Sequence, residues 1–269
     1  MKKIALITGA SSGMGKEFAI QIARDYQNLE LNEIWILARR KEKLESVCEQ
    51  IEKIKNAPKA VPFSIDISGS EGAKRVKVLL ESEKQREDFQ IEVLINNAGF
   101  GTYGPFDETP VEKEMQMIDL NCTSLTGICG YALPYLKENS LIINTASLAS
   151  FAPLGEFAVY AATKAYVLSF SLGLAAELKD KKIKVCALCP GSVSTEFANV
   201  ASNGARKEVL HGIGPQKVIR HCLKNAFKGK KYTLYRLKWK LSAFLTRFVS
   251  RYFVASFTFK TNKRPHKWD

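Results

Sequence analysis

Short apolar runs alternate along this chain with longer segments of helical periodicity, and this alternation is what most narrows its possible folds. Apolar runs of five or six residues without polar alternation are typical of strands buried on both faces, as in a parallel sheet. The candidate strands are 3–8, 33–38, 60–65, 92–96, 141–145 and 184–189. Helical patterns separate them, at about 15–27, 41–56, 70–85, 110–137 and 160–180. Repeated strand–helix–strand units predict an α/β fold with three layers and a doubly wound parallel sheet.

The composition fits a single domain of that kind. The chain has 269 residues, 46% of them hydrophobic, which is enough for a substantial core. No internal repeat or low-complexity linker divides residues 1–235. The N-terminal apolar run is interrupted after six residues by Gly9 and Ser11, so it predicts a buried strand and not a signal peptide. No uncharged apolar window of 18 residues occurs, so a membrane-spanning helix is not expected.

The six cysteines and three histidines do not predict a metal site. Cys186 and Cys189 form a C-x-x-C pair, but they fall in a predicted strand, where residues three apart point to opposite faces. We expect free thiols, which are typical of a reducing, cytoplasmic location.

A glycine-rich segment, TGASSGMG, joins the first predicted strand to the first predicted helix. Its glycines, Gly9, Gly13 and Gly15, allow a tight turn and a close approach of the backbone to a ligand. The following helix would present unpaired N–H groups to an anion. A structural turn alone needs one or two glycines, so three favour a nucleotide-binding loop.

Tyr160 and Lys164 lie one helical turn apart in a stretch of apolar and small residues, VYAATKAYVLSF. Both side chains therefore lie on one helix face. One interpretation is a half-buried tyrosine beside a solvated lysine. The other is a phenol whose pKa the neighbouring ammonium lowers, so that it exchanges protons near neutral pH.

Five short motifs occur in the order found in short-chain dehydrogenases/reductases, and the chain resembles that family over about residues 3–235. The motifs are TGASSGMG (8–15), NNAG (96–99), NTAS (144–147), YAATK (160–164) and PGSVST (190–195). The resemblance implies a Rossmann fold in which residues 1–235 form the dinucleotide-binding and catalytic domain. It also implies hydride transfer between a nicotinamide cofactor and a carbonyl or secondary alcohol.

The resemblance implies roles for four catalytic residues. Tyr160 donates a proton to a carbonyl or removes it from an alcohol, and Lys164 lowers the pKa of Tyr160 and holds the nicotinamide ribose. Ser147 hydrogen-bonds the substrate oxygen, and Asn121 holds a water that links Lys164 to solvent. The implied cofactor-binding residues are Gly9, Ser11, Ser12, Gly13, Met14, Gly15, Arg39, Arg40, Asp66, Asn97, Ala98, Gly99, Tyr160, Lys164, Pro190, Gly191 and Thr195.

The segment WILARRKEKL predicts which cofactor is preferred. NAD-dependent relatives usually carry an acidic residue at the end of the second strand, where it binds the ribose 2′-hydroxyl. Ala38 stands there in this chain, followed by Arg39 and Arg40. Guanidinium groups can pair with a 2′-phosphate, so the sequence favours NADP(H) over NAD. A solvated helix start is the alternative explanation of these charges.

The sequence does not identify the substrate. Residues 100–106 and the segment after Thr195, with Phe197 and Val200, are expected to line the substrate side of the site. A catalytically silent dinucleotide sensor on the same fold is the alternative function, although Tyr160 and Lys164 are both present. No nucleic-acid-binding module appears. Relatives commonly pair through the helices predicted at 110–137 and 160–180, which implies a homodimer or homotetramer.

The C-terminal segment has a separate charge character. Residues 224–269 hold 13 of the 40 Lys and Arg residues and one of the 27 Asp and Glu residues. Residues 236–269 predict a basic amphipathic helix and tail. Its apolar stripe comprises Leu237, Leu241, Phe244, Leu245, Phe248, Tyr252, Ala255 and Phe259. Two interpretations stay open, packing on the body or a second subunit, and a peripheral membrane contact.

Overall fold

The computed structural model describes residues 1–207, 209 and 212–268, and its centre is a sheet of seven parallel strands. The strand order is β3-β2-β1-β4-β5-β6-β7, which confirms the predicted doubly wound sheet. The strands are β1 (Lys2–Thr8), β2 (Glu33–Ala38), β3 (Lys59–Ser64), β4 (Phe89–Asn96), β5 (Leu136–Thr145), β6 (Lys184–Leu188) and β7 (Tyr232–Thr233).

Helices cover both faces of the sheet and give the three layers. They are α1 (Gly13–Asp25), α2 (Lys41–Glu52), α3 (Gly69–Arg86), α4 (Val111–Ile118), α5 (Leu125–Ala132), α6 (Ala158–Glu177), α7 (Phe197–Ala201), α8 (Pro215–Phe227), α9 (Leu237–Leu245) and α10 (Arg251–Thr261). α1 packs against α2 and α8, and on the other face α3 packs against α5 and α4 against α6. α6 is apolar and long enough to suit a membrane span, and half of its most apolar window is buried inside the protein, as in core helices.

The core explains why the strands read as continuous apolar runs. Residues 4–7 and 34–37 are fully buried, because helices cover the sheet on both sides. At the amino-terminal edge, Trp35, Phe89 and Tyr135 form a row of rings, with centroids 4.9 and 5.1 Å apart. The carboxyl ends of the strands converge at the opposite edge. The strand order switches between β1 and β4, because β2 and β3 lie on one side of β1 and the later strands lie on the other side. Ligands bind at that switch point in sheets of this type.

Three elements differ from the sequence prediction. The helix predicted at 110–137 is interrupted by a π-helical turn, Asp119–Ser124, and it ends at Ala132. The helix α8 was not predicted, although Pro215 at its first turn is a typical start signal. The segment KKYTLYR (230–236) also predicts a final strand that completes the sheet. The structure has this strand, β7, which pairs with β6, but it spans only Tyr232 and Thr233.

The predicted single C-terminal helix was wrong, because the structure has two helices separated by residues 246–250. Ser250 takes an extended backbone conformation and starts α10, a position that serine favours. α9 is anchored in the core by Trp239 and Ala243, and the buried residue of α10 is Thr258. The predicted apolar stripe therefore faces outward from the two helices. The residues that the helices bury are Trp239, Ala243 and Thr258.

Candidate active site

The glycine-rich loop runs from β1 into α1 with two glycines in the left-handed region. Gly9 has φ 66° and Gly13 has φ 55°, values that favour glycine. A Cβ on Gly9 would lie 2.8 Å from the Cα atom of Ala98. A Cβ on Gly13 would lie 3.1 Å from Cγ2 of Thr195. The loop therefore approaches the segments after β4 and β6 as closely as glycine allows.

Thr8, at the end of β1, joins this loop to the segment that follows β4. The Thr8 hydroxyl oxygen accepts hydrogen bonds from the backbone N–H groups of Asn97 (3.0 Å) and Ala98 (3.2 Å). The Asn97 amide in turn donates to the carbonyl oxygens of Thr8 and Gly9, both at 3.3 Å. These bonds fix two of the predicted cofactor-binding motifs relative to each other.

Asn121 lies in the π-helical turn and is almost fully buried. Its amide nitrogen donates to the Phe100 carbonyl (2.9 Å) and to the Thr163 hydroxyl (3.1 Å). Its amide oxygen accepts from the Phe100 N–H at 3.2 Å. A Cβ on Gly99 would lie 2.7 Å from that oxygen and 3.4 Å from Lys164 Nζ. The π-helical turn, a feature common at functional sites, thus places Asn121 beside Lys164.

Tyr160 lies in the first turn of α6 and is only 7% exposed. Its ring stacks on Phe157 at 4.1 Å between centroids and packs against Phe197 at 5.3 Å. Tyr103 packs edge-on against Phe157 at 5.1 Å. We call Tyr103, Phe157 and Phe197 the aromatic cage. Tyr103 and Phe197 come from the two segments that the sequence assigned to the substrate side.

Lys164 and Ser147 flank Tyr160 from two directions. Lys164 Nζ lies 5.8 Å from the centre of the Tyr160 ring and donates to the Thr145 carbonyl at 2.7 Å. Ser147 follows β5 and starts a short 3₁₀ turn, where its hydroxyl oxygen accepts from the Ala149 N–H at 3.1 Å. The structure therefore brings Asn121, Ser147, Tyr160 and Lys164 together at one place.

The protonation of this cluster is dominated by burial. Burial raises the pKa of Tyr160 above the ordinary phenol value, while a hydrogen bond with Ser147 and the charge of Arg264 lower it. In the protein without cofactor, burial therefore outweighs the lowering of the Tyr160 pKa that was expected from Lys164. Burial lowers the pKa of Lys164 itself to about 8, because an ammonium in an apolar environment loses its hydration.

Arg40 faces the glycine-rich loop across the mouth of the cleft. Its guanidinium donates to the hydroxyl oxygens of Ser11 (3.1 Å) and Ser12 (2.9 Å). It also donates to Glu196 Oε2 at 2.8 Å, and Lys43 Nζ donates to Glu196 Oε1 at 2.6 Å. The Ser12 hydroxyl also donates to Glu196 Oε2 at 3.0 Å, so three donors converge on one carboxylate. The Lys43 ammonium beside it is the main cause that lowers the pKa of Glu196 to about 2.

The remaining predicted cofactor residues follow the strand ends. The Asp66 carboxylate accepts from the Ser68 N–H at 3.0 Å, and the Pro190 carbonyl accepts from the Leu148 N–H at 2.8 Å. Gly191 lies against the Trp239 ring, so a Cβ there would come within 2.4 Å of it. The predicted residues that line one cleft of about 540 Å³ are Gly9, Ser11, Ser12, Gly13, Met14, Arg39, Arg40, Asp66, Asn97, Ala98, Gly99 and Thr195.

Four residues of the site were missed by sequence reasoning. Thr8 and Lys43 could have been found, because one ends the first strand beside the glycines and the other belongs to the basic segment after the second strand. Glu196 directly follows a predicted cofactor residue, Thr195, but its ion pair with Arg40 spans 156 residues of sequence. Arg264 reaches the aromatic cage from the C-terminus, and only the three-dimensional fold reveals this.

The cleft fits a phosphate-bearing dinucleotide. The glycines hold the loop backbone close to the cleft wall, and the first turn of α1 opens there. Arg40, Lys43 and Ser12 already hold an anion, the Glu196 carboxylate, which has the same charge sign and acceptor chemistry as a phosphate oxygen.

Comparisons with known proteins agree with this geometry. Residues 3–205 match the family model for short chain dehydrogenase. A serine 3-dehydrogenase from Rhizobium radiobacter is 32% identical over 224 residues, covering 80% of this chain and 83% of that protein. A diacetyl reductase [(S)-acetoin forming] from Staphylococcus epidermidis is 34% identical over 203 residues, covering 73% and 74%.

A solved structure is also similar over nearly the whole chain. The short-chain dehydrogenase from Sphingobium yanoikuyae in complex with NADPH superposes with a TM-score of 0.73 at 28% identity, covering 92% of this chain and 94% of that one. Fold, motifs and these similarities agree, and the chain therefore belongs to the short-chain dehydrogenase family of nicotinamide-dinucleotide-dependent oxidoreductases.

Proposed function

We propose that this protein interconverts a carbonyl compound and a secondary alcohol with NADP(H), and that Tyr160 is its acid and base. The supporting observation is that Tyr160, Ser147 and Lys164 are buried together, where the carboxyl end of β5 meets the first two turns of α6. When bound, the dinucleotide supplies or accepts the hydride. A catalytically silent sensor would not need a phenol, a hydroxyl and an ammonium buried together, since each costs free energy to desolvate.

In the reducing direction the Tyr160 hydroxyl gives its proton to the carbonyl oxygen. The phenol holds this proton at neutral pH, since the ordinary pKa of a tyrosine is about 10. Burial raises the pKa of Tyr160 further in the chain without cofactor, which weakens the acid, and the Lys164 ammonium offsets this effect when the phenolate forms. The Ser147 hydroxyl orients the substrate oxygen towards it. The phenolate left behind is stabilised by the Lys164 ammonium and recovers a proton along the path beside Asn121. General acid catalysis of this kind contributes about 10²–10⁴-fold to a rate.

The preference for NADP(H) rests on the basic residues after β2. Arg40 would hold the 2′-phosphate, together with Ser12 and the exposed Arg39, and Lys43 would add a second cation. Glu196 is the opposing feature, because its carboxylate already pairs with Arg40 and Lys43. A carboxylate at this place is also a group that binds a ribose 2′-hydroxyl in NAD-dependent enzymes. The net charge of the cluster is positive, which favours the phosphate.

Oxidation of NADPH and NADH in the presence of a panel of ketones, aldehydes and lipid-like carbonyls tests this proposal. We expect turnover with at least one carbonyl class and faster turnover with NADPH. Tyr160→Phe removes only the ionisable hydroxyl, and Tyr166→Phe, on an exposed turn of the same helix, is the matched control. If no carbonyl is reduced although NADPH binds, the sensor function replaces the enzyme.

We also propose a peripheral membrane contact through α9 and α10. Leu237 is 79% exposed, Tyr252 is 82% exposed, and Lys238, Lys240 and Arg247 flank the apolar face. The exposed large apolar residues of the two helices and of the segment between them are Leu237, Leu241, Phe244, Leu245, Phe248, Val249, Tyr252, Phe253, Phe257 and Phe259. Apolar residues edged by cations suit a bilayer surface with anionic lipid.

Co-sedimentation with vesicles of phosphatidylserine and phosphatidylcholine tests this contact. A chain ending at Arg236 is a poor probe, because Trp239 and Ala243 belong to the core. Phe248→Glu in the full chain changes only the exposed face, and Val78→Glu on α3 is the control at a similarly exposed apolar residue. We expect the wild type and Val78→Glu to pellet at low salt and Phe248→Glu to stay in the supernatant. If the three proteins pellet to the same extent, α9 and α10 do not bind the membrane through Phe248 and only pack on the rest of the protein.

We also propose that the protein is cytoplasmic and that it self-associates. α4 and α6 carry exposed apolar side chains, and both lie in the segments through which relatives commonly pair. These side chains are Val111, Met115, Ile118, Tyr166 and Leu172. Sedimentation velocity on the wild type and on Met115→Glu would decide whether this face joins subunits in a dimer or tetramer.

A further inference from the structure

The last seven described residues cross the entrance of the catalytic cluster. Residues 262–268, which we call the C-terminal strap, are bonded to both sides of that entrance. The Trp268 ring N–H donates to the Tyr103 carbonyl at 2.6 Å, and the Lys267 N–H donates to the Ser202 carbonyl at 3.2 Å. The Asn203 amide donates to the Lys267 carbonyl at 2.6 Å. The strap is therefore a built wall of the site.

This wall carries a cation to the aromatic cage. The guanidinium carbon of Arg264 lies 4.7 Å from the Phe157 ring centre and 5.6 Å from the Tyr103 ring centre. Phe157 is the ring that stacks on Tyr160, so the cation stands one ring away from the proposed proton donor. Its charge acts on that donor directly, since it lowers the pKa of Tyr160.

Within the part of the chain that the structure describes, the Arg264 guanidinium lacks a paired carboxylate. Its Nε atom is buried and has no hydrogen-bond partner among those residues. Glu156 is the acid whose charge acts on Arg264, but its two oxygens accept from the Lys263 ammonium (2.8 Å) and from the Arg264 backbone N–H (2.6 Å). A buried guanidinium without a partner is costly, and it would gain a partner from an anion that enters the site.

A second guanidinium reinforces the positive field. Burial raises the pKa of Tyr103 and lowers the pKa of Arg264, and the nearby charge of Arg206 lowers both. Two like charges are thus brought to one aromatic ring. Such an arrangement is unfavourable by itself, and a bound carboxylate would relieve it, because guanidinium groups match the planar geometry of a carboxylate.

We propose that Arg264 binds a carboxylate of the substrate, so that the enzyme acts on oxo acids and hydroxy acids whose apolar body contacts the aromatic cage. This inference rests on the proposed function, because it places the carboxylate relative to Tyr160. The positive charge comes from the C-terminal strap, outside the segments that hold the catalytic motifs.

Acid and ester pairs test the inference in the full-length enzyme. Benzoylformate and its methyl ester share the reacting ketone and the ring, and they differ in the negative charge. We expect wild-type kcat/KM with NADPH to favour the acid. Arg264→Gln should lower the acid-to-ester ratio by about tenfold to a hundredfold, the scale of a hydrogen bond to a charged group, with most of the change in KM for the acid.

Two further variants separate recognition from a structural role. Arg264→Lys keeps the charge and should restore part of the acid preference. Lys267→Gln removes an equal charge from an exposed side chain of the same strap and should behave like the wild type. A general loss of activity in Arg264→Gln, equal for acid and ester, would show that Arg264 only supports the fold of the site.

Calorimetric titration of benzoylformate into the enzyme loaded with NADP⁺ gives a readout independent of turnover. Binding that Arg264→Gln weakens supports the inference even if no probe is reduced, and in that case the proposed function fails alone. If the ester is reduced while the acid is neither bound nor reduced, the proposed function stands and the inference is overturned. Absence of acid binding to the wild type overturns it as well.

Discussion

Arg40 and Glu196 are joined across the cleft by a hydrogen-bonded ion pair, with Nη1 and Oε2 2.8 Å apart. Arg40 follows β2 and Glu196 follows the segment after β6, so the pair joins the cofactor side of the site to the substrate side. Lys43 and Ser12 contact the same carboxylate. The donors that we propose for the 2′-phosphate of NADP(H) are therefore occupied by an anion of the protein itself.

Glu196→Gln should strengthen NADPH binding, because it removes the carboxylate that competes for Arg40 and Lys43. Both partners of this ion pair are partly exposed, and such pairs contribute about 0.2–1 kcal/mol, so the Kd for NADPH should fall by a factor of about 1.4 to 5. Fluorescence titration of NADPH and NADH measures the change, and the Kd for NADH should stay nearly constant. Glu138→Gln, which breaks the exposed ion pair with Lys182, is the control. A weaker binding of NADPH would mean that Glu196 itself supports the cofactor.

Arg40→Ala should impair the use of NADPH far more than Arg39→Ala. The Arg40 side chain contacts Ser11 and Ser12 at the glycine-rich loop, whereas Arg39 is exposed and contributes its backbone carbonyl to Ser64. Loss of a charge-assisted hydrogen bond should raise the KM for NADPH by about tenfold or more, with little effect on the KM for NADH. Steady-state kinetics with both cofactors decide this. Equal effects on the two cofactors would exclude pairing with a 2′-phosphate.

Tyr160→Phe should lower kcat by about two orders of magnitude or more, the scale of general acid catalysis. The ring remains, so its stacking on Phe157 and the binding of NADPH should persist. Single-turnover measurements with the best carbonyl of the panel separate chemistry from product release. Near-normal turnover would remove Tyr160 from the mechanism.

Gly191→Ala should destabilise the protein, because the new Cβ would lie 2.4 Å from the Trp239 ring and would displace α9. Overpacking of this kind costs about 1–3 kcal/mol. Gly130→Ala on α5 is the control: the space around that glycine is open, and replacing a helical glycine should stabilise by roughly 0.5–1 kcal/mol. Urea unfolding of both variants measures the difference. If Gly191→Ala is as stable as the wild type, α9 shifts to accommodate the new methyl group without loss of unfolding free energy.

The sequence predicted the elements whose signal is local. Residues 4–7 and 34–37 are apolar because they are buried on both sides. The proposed catalytic residues Ser147, Tyr160 and Lys164 stand in recognisable motifs, after β5 and in the first turns of α6. The π-helical turn at Asn121 was not predictable, since its polar residues also occur inside ordinary α-helices and at helix ends. The Asn121 bonds to Phe100 and Thr163 join it to segments that are distant in the sequence. The approach of Arg264 to Phe157 was hidden for the same reason, because it depends on hydrogen bonds between segments far apart in the chain.

Lys164 should make the stability of the protein depend on alkaline pH. Burial lowers its pKa from 10.5 to about 8 in the folded protein, so the unfolded chain binds more protons between these values. The contribution of Lys164 to the free energy of unfolding should therefore rise with pH across that window, by about 3 kcal/mol at most. Buried thiols such as Cys129, whose pKa burial raises, contribute in the opposite sense, so the Lys164 contribution is measured as a difference between the wild type and a variant. Lys164→Met, which has no charge to desolvate, should lack this rise, so its stability relative to the wild type should be highest at pH 7 and should decline towards pH 10. Urea unfolding without added cofactor at pH 7 and pH 9.5 measures the slope, and Lys179→Met, at an exposed lysine just after α6, should follow the wild type. If the unfolding free energies of Lys164→Met and the wild type differ by the same amount at both pH values, burial does not lower the pKa of Lys164.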